Sequence, residues 1–305
     1  STFSPRGSPE RPGGRRKNAD SKGGFAALDS CAGAEAELEQ IENYHPMPAP
    51  QALLDQLRRL APDTAPPRRV TLGEEAVDAA LSGGLRLGAL HEVYAASGGD
   101  AGAATGFALA LAARAAQGRP ILWARQDMLD AETGRIYAPG LTELGIAPGS
   151  IVLVRGRDAA DVLKAGEDAA RCGGLGAALI APWGSPASLD LTARRRLVLA
   201  AGASGVTVTM LRIAAQPAPS AAETRWRIAA APSQRLDADA PGLPAFDTTL
   251  LRQRGGAAGQ SWFLEWNRDR QSFVARADRH AAPLSRPVVS LPRHGAAGAA
   301  MRRSA

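Results

Sequence analysis

The order of apolar and polar positions divides the chain into three parts. Residues 50–61 (PQALLDQLRRLA) set Leu53, Leu54, Leu57 and Leu60 on one helical face. That spacing predicts an amphipathic helix, which either packs on the adjacent domain or offers its face to a partner or a second copy. Pro62, Pro66 and Pro67 then predict a linker. From Val70 onward, short apolar runs alternate with segments of helical period. TLGEEAVDAAL predicts a short strand and a helix, and SGGLRLG a turn. ALHEVYA (89–95) predicts a strand, followed by a glycine-rich loop over 97–102. ATGFALALAARAAQG predicts a helix ended by Gly118, and RPILWAR a second strand. A helical stretch over 139–146, a third strand over 151–156 and a helix over 158–172 follow. LGAALIAPW (175–183) predicts a fourth strand, LDLTARRRLVLAAGAS a helix, and GVTVTMLRI (205–213) a fifth strand. These strands are apolar enough to be covered on both faces. The expected fold class is therefore α/β, with a mostly parallel sheet between helices. Residues 214–223 read as a loop. TRWRIAAA, DTTLLRQR and SWFLEWN then alternate at period two, with GGAAG as a hairpin connection, which predicts antiparallel C-terminal strands.

Composition changes the picture at the two ends. Residues 1–47 hold clusters of Pro, Gly and Ser, a basic knot at Arg15, Arg16 and Lys17, and acidic Glu35, Glu37, Glu39 and Glu42. This reads as a disordered tail, with room for a short helix over 33–42. The expected organisation is a tail over 1–47, a helix and linker over 48–67, a core over 68–278 and a disordered basic tail over 279–305. Net charge is +6, and residues 252–305 hold ten Arg against Glu265, Asp269 and Asp278. A basic end of this kind gives either salt-sensitive, non-specific DNA affinity or a solvated tail. No apolar run is long enough to span a membrane. The first residues lack the apolar stretch of a secretory signal. Cys31 and Cys172 stand far apart with no CxxC, which excludes a zinc finger or disulfide scaffold and fits a reduced, cytoplasmic protein. His45, His91, His280 and His294 show no metal spacing, so no metal is expected.

A strand, a glycine loop and a helix together are the place to look for phosphate binding. A working phosphate loop reads GxxxxGK[ST], its lysine reaching the outer phosphates and its hydroxyl holding Mg²⁺. Here the match runs from Gly98 to Thr105, with Ala103 for the second glycine and Ala104 for the lysine. The only lysines are Lys17, Lys22 and Lys164, so no change of register supplies one. Asp100 brings negative charge to the loop. The fourth strand ends at Pro182 and Trp183 without a metal-binding carboxylate, and only Asp127 near the end of the second strand could activate water. Two readings stay open for Gly98, Gly99, Gly102 and Thr105: weak ATP or anion binding, or a tight turn using glycine for its backbone freedom. No cofactor is otherwise expected, and no catalytic residue is assigned.

Arg225 and Arg227 share one strand face with Trp226 opposite, Arg252 and Arg254 share another, and Trp262, Leu264 and Trp266 a third. The four arginines are candidate contacts to DNA or a partner. The tryptophans read as the core side of an antiparallel sheet. Arg194, Arg195 and Arg196 point about 100° apart on their helix and read as a solvated surface. His91 reads as a satisfied core histidine. Ser97 lies in a glycine loop, but GxSxG is absent.

The stretch GGLRLGALHEVYAASGGDAGAATGFALALAARAAQGRPILWAR resembles the start of the RecA ATPase core. AAETRWRIAAAPS and LLRQRGGAAGQSWFLEWNRDR resemble a narrower group, the ImuA family of damage-inducible mutagenesis proteins, also described as SulA-like or RecA-like. The resemblance spans residues 50–275 and leaves out both tails. It implies a RecA-like core and an accessory role in SOS-induced translesion synthesis. The implied partners are an inactive Y-family polymerase homologue (ImuB), RecA itself and an error-prone C-family polymerase. The implied location is cytoplasmic, at the nucleoid during DNA damage. The absent lysine departs from true recombinases and fits a noncatalytic adaptor. A DNA-stimulated ATPase of the RecA type and a SulA-like inhibitor of cell division remain as alternatives.

Overall fold

The computed structural model describes residues 66–276 except 235, 238, 239 and 241. The expected tails and the leucine face of Leu53, Leu54, Leu57 and Leu60 lie outside the described residues. A small antiparallel pair, β1 (Arg69–Val70) and β2 (Leu85–Arg86), brackets helix α1 (Glu75–Ala80). Strand β3 (Leu90–Ala95) leads through a 3₁₀ turn, Gly98–Asp100, into α2 (Ala101–Ala116). Then come β4 (Ile121–Gln126), α3 (Asp127–Thr133), α4 (Ala138–Glu143) and β5 (Ile151–Gly156). These are followed by α5 (Ala159–Arg171), β6 (Ala177–Ala181), α6 (Leu191–Ser204) and β7 (Thr207–Arg212). The chain closes with β8 (Thr224–Ala230), β9 (Ala245–Gln253), β10 (Gln260–Asn267) and β11 (Ser272–Ala275).

Nine strands form one sheet in the order β11-β10-β9-β8-β3-β7-β6-β4-β5. From β8 to β5 all neighbours are parallel, and β8-β9, β9-β10 and β10-β11 are antiparallel. The expected α/β class with antiparallel C-terminal strands is therefore present. The helices cover both faces, as a parallel sheet requires. On one face Phe107 and Leu111 of α2 pack with Val93, Trp123, Leu211 and Trp226. On the other, Val162 of α5 and Leu197 of α6 pack with Leu90, Ile180 and Met210. Small residues permit this closeness. A Cβ on Gly166 would lie 2.3 Å from the Ile180 side chain, and one on Gly176 2.5 Å from the Ala116 carbonyl oxygen. Leu264 and Trp266 are buried in the first core and Trp262 packs at its margin, the inward role expected of that face.

The two margins of the sheet differ. Along β11 the Phe273 N–H donates to Leu72 O at 2.8 Å, and the Ala275 N–H to the Glu74 carboxylate at 2.8 Å. Strand β5 at the other margin shows Val152 and Leu153, 50% and 45% exposed.

Three local expectations change. The glycine loop is shorter than 97–102, because α2 begins at Ala101 and takes Gly102 into its first turn. Helix α3 was not expected: Leu129 is its one buried residue, too little for a periodic pattern, while Asp127 and Asp130 suit its positive N-terminus. Strands β2 and β11 are too short to alternate visibly. Among the described residues no helix is long and apolar enough to cross a membrane.

Candidate functional site

The glycine loop sits at the carboxyl end of β3, a central strand, where ligands approach open parallel sheets. Several of its polar atoms are already engaged. Asp100 accepts from Ser97 Oγ at 2.6 Å and from the Ala230 N–H at 2.8 Å, tying the loop to the end of β8. Those two donors, with the Arg227 charge adding to them, hold its carboxyl below the usual range, so the loop carries a fixed negative charge. The N–H of Asp100 bonds Ser97 O, and that of Ala101 bonds Gly98 O. Thr105 donates its hydroxyl to Ala101 O at 2.7 Å. Ala104, where a lysine would stand, is fully buried in the α2 core. These residues lack the cation that a Mg-nucleotide needs, and Asp100 brings a carboxylate to the loop in its place. The tight-turn explanation fails as well. Gly98, Gly99 and Gly102 have no left-handed backbone, and a Cβ on Gly98 or Gly102 would meet nothing within 4 Å.

A cleft of about 290 Å³ opens beside the loop, lined by Gly102, Thr105, Trp123, Arg125 and Tyr137 among others. Its buried guanidinium is satisfied: Arg125 reaches Asp130 at 2.9 Å and Gly134 O at 2.7 Å. Asp127 does not line it. It opens α3 and pairs with Arg155 at 2.7 Å.

Arg225 stands opposite Arg252 across β8 and β9, so the two candidate pairs meet there, while Arg254 lies in the turn after β9. The four arginines separate by role. Arg225 turns inward, its Nε 3.1 Å from a Glu92 carboxylate that is fully buried. Ser220 Oγ donates to the same oxygen at 2.9 Å. Arg194 approaches the other Glu92 oxygen at 3.4 Å, an ion pair without a well-formed hydrogen bond. The guanidiniums also clamp the 218–220 loop: Arg194 to Pro219 O at 3.0 Å, Arg252 to Ser220 O at 2.7 Å, and Arg225 to Ala218 O. Buried Arg212 lies over the Tyr94 ring at 5.6 Å and donates to Gly184 O at 2.9 Å. Arg227 and Arg254 face solvent.

The solvated reading of 194–196 is thus corrected at Arg194, which is 6% exposed. Its helix position is the reason: it lies beside Ala193 and Leu197 on the inner face, where Glu92 needs a countercharge. The available signal was Glu92 itself, a carboxylate inside an apolar strand.

His91 is the satisfied core histidine expected. Trp226 Nε1 donates to Thr224 Oγ1 at 2.9 Å, leaving that hydroxyl to donate to His91 Nδ1 at 2.8 Å. Arg86 O can only accept, so the proton sits on Nε2, 2.8 Å from it. Burial pushes the imidazole down to about 4 from 6.5. An unfolded chain protonates His91 below pH 6.5 while the folded one resists until about pH 4, so stability falls as pH drops through that window. The expected loss reaches about 3 kcal/mol near its lower end. Urea unfolding at pH 7.5 and 4.5 measures it, and His91→Gln should remove most of this slope.

No family model matches the chain. Over 212 residues it is 35% identical to Protein ImuA of Caulobacter vibrioides (strain NA1000 / CB15N), covering 64% of this chain and 82% of the relative. Protein ImuA of Caulobacter vibrioides strain ATCC 19089 / CIP 103742 / CB 15 gives the same figures.

Proposed function

Because the chain belongs to the ImuA family, we propose that it is a noncatalytic adaptor in damage-inducible mutagenesis. Its core derives from a RecA-like nucleotide motor and works by docking an ImuB-type polymerase homologue, with RecA and an error-prone C-family polymerase as further contacts. The segment 50–61 adds a leucine surface to that docking, and the basic C-terminal end keeps the assembly near DNA at the nucleoid. One observation supports this reading: the loop that would hold phosphates carries the Asp100 carboxylate, tied to Ser97 and Ala230, and the sequence has no lysine between 23 and 163.

Co-purification with the ImuB-type protein tests the role directly, using the full chain. The expected result is retention of the partner, together with no ATP turnover above background in the presence of single-stranded DNA and Mg²⁺. Metal-dependent turnover that disappears in Thr105→Ala would instead establish the ATPase. Restoring the lysine should not restore a motor. Ala104→Lys forces a cation into the α2 core, so the expected outcome is no turnover and a stability loss of about 2–3 kcal/mol by urea titration.

A further inference from the structure

Helix α6 carries apolar side chains on two opposite sides. Ala193, Leu197 and Ala201 are buried against the sheet, whereas Leu191 and Leu199 on the outer side are 44% and 72% exposed. A surface helix ordinarily keeps that side polar. Leu191, Arg195 and Leu199 follow one another at intervals of four residues and therefore share a stripe. Beside the stripe lies a groove of about 410 Å³, floored by Val198, Leu199 and Ala221 and rimmed by Arg195, Arg252 and Arg254. Among the described residues, none of these three guanidiniums has a carboxylate within ion-pair distance.

We propose that this groove docks a short acidic, leucine-bearing segment of the partner protein. Carboxylates meet the arginine rim, and one or two large aliphatic side chains cover the floor. The inference rests on the adaptor reading above and assigns that adaptor a surface. Charge complementarity sets the sign of the ligand, because Arg presents a fork that matches a carboxylate. The floor sets its class. Single-stranded nucleic acid binds through phosphates and through bases stacked on aromatic rings. This groove has no aromatic lining, and a phosphate backbone would leave Leu199 uncovered. An apolar centre inside a charged rim is instead the pattern of a protein contact.

The test compares the full chain with Leu199→Glu and with the double variant Arg195→Glu/Arg254→Glu, which spares the Arg252 contact to Ser220. The probes are the intact ImuB-type protein in a pulldown and an array of overlapping 18-residue peptides from it. The expected result is that the wild-type chain retains peptides combining carboxylates with leucines, and that both variants lose them at least tenfold with unchanged melting temperature. Leu153→Glu, at the far sheet margin, should bind like wild type. Retention of the intact partner with no dependence on these residues overturns the groove and leaves the adaptor role standing. Failure to retain the intact partner counts against the adaptor role, and the array then decides the groove alone: no acidic, leucine-bearing peptide retained overturns it. Loss of single-stranded DNA binding in both variants, with peptide retention unchanged, reassigns the rim to nucleic acid. A dimer that Leu199→Glu dissolves assigns the face to a second copy and likewise overturns it.

Discussion

Replacing Glu92 with alanine is expected to lower the free energy of unfolding by about 3–5 kcal/mol, because it strands buried guanidiniums without their countercharge. Glu92 is fully buried and is approached by Arg194 at 3.4 Å and Arg225 at 3.1 Å, with Arg212 near them over Tyr94. Burial works against the charge of Arg212 and raises the Tyr94 hydroxyl, the Glu92 carboxylate adding to the latter. One carboxylate therefore serves a cluster of cations: among the described residues Glu92 alone pairs with Arg194 and Arg225. Glu92→Gln keeps the shape and loses the charge, so it should fall near the lower bound. Pairing it with Arg225→Gln should cost less than the two changes added together, since each removes what the other compensates. Urea midpoints at constant slope measure all three variants. An unchanged midpoint in Glu92→Ala would mean the arginines do not depend on it.

Trp226→Ala should produce a loss of similar size, about 3–5 kcal/mol. The ring is fully buried, 5.5 Å from Phe107 on α2 and 6.2 Å from Trp262 on β10. With Phe246 and Phe273, 5.7 and 5.1 Å from Phe107, it joins the antiparallel strands to the helix that follows the glycine loop. The change also frees Thr224 from the indole N–H and opens space beside His91, so the imidazole should titrate closer to its ordinary value. A two-dimensional NMR titration of the histidine side chain follows this independently of stability. An imidazole that still titrates near its native position would show that burial at His91 does not depend on this ring.

The fold class was legible because it rests on repeated patterns. Strands such as ALIA and helices such as the one opened at Asp158 carry their signals in consecutive residues, and the Asp158 side chain does accept from the Asp161 N–H at 2.9 Å. What stayed hidden depends on partners distant in sequence. Arg194 looked like its neighbours Arg195 and Arg196 until Glu92, 102 positions earlier in the chain, gave it an inward partner. Arg225 looked like a surface cation for the same reason. At the glycine loop the missing lysine was visible at once. That Asp100 bridges to Ala230, 130 residues away, and that Ala104 points into the core were not. The period-two alternation paired Arg225 with Arg227 and Arg252 with Arg254, but it could not say which of them turns inward.

Among the described residues the sheet is finished on one side and open on the other. Leu72 and Glu74 bind the outer N–H groups of β11, so no newcomer can lie down there. Among the described residues no strand pairs beyond β5, and Val152 and Leu153 offer grip on both surfaces. The molecule is thus directional as a building unit: lateral growth, wanted or unwanted, starts from β5, and that is where one added charge would improve solubility without disturbing either interior.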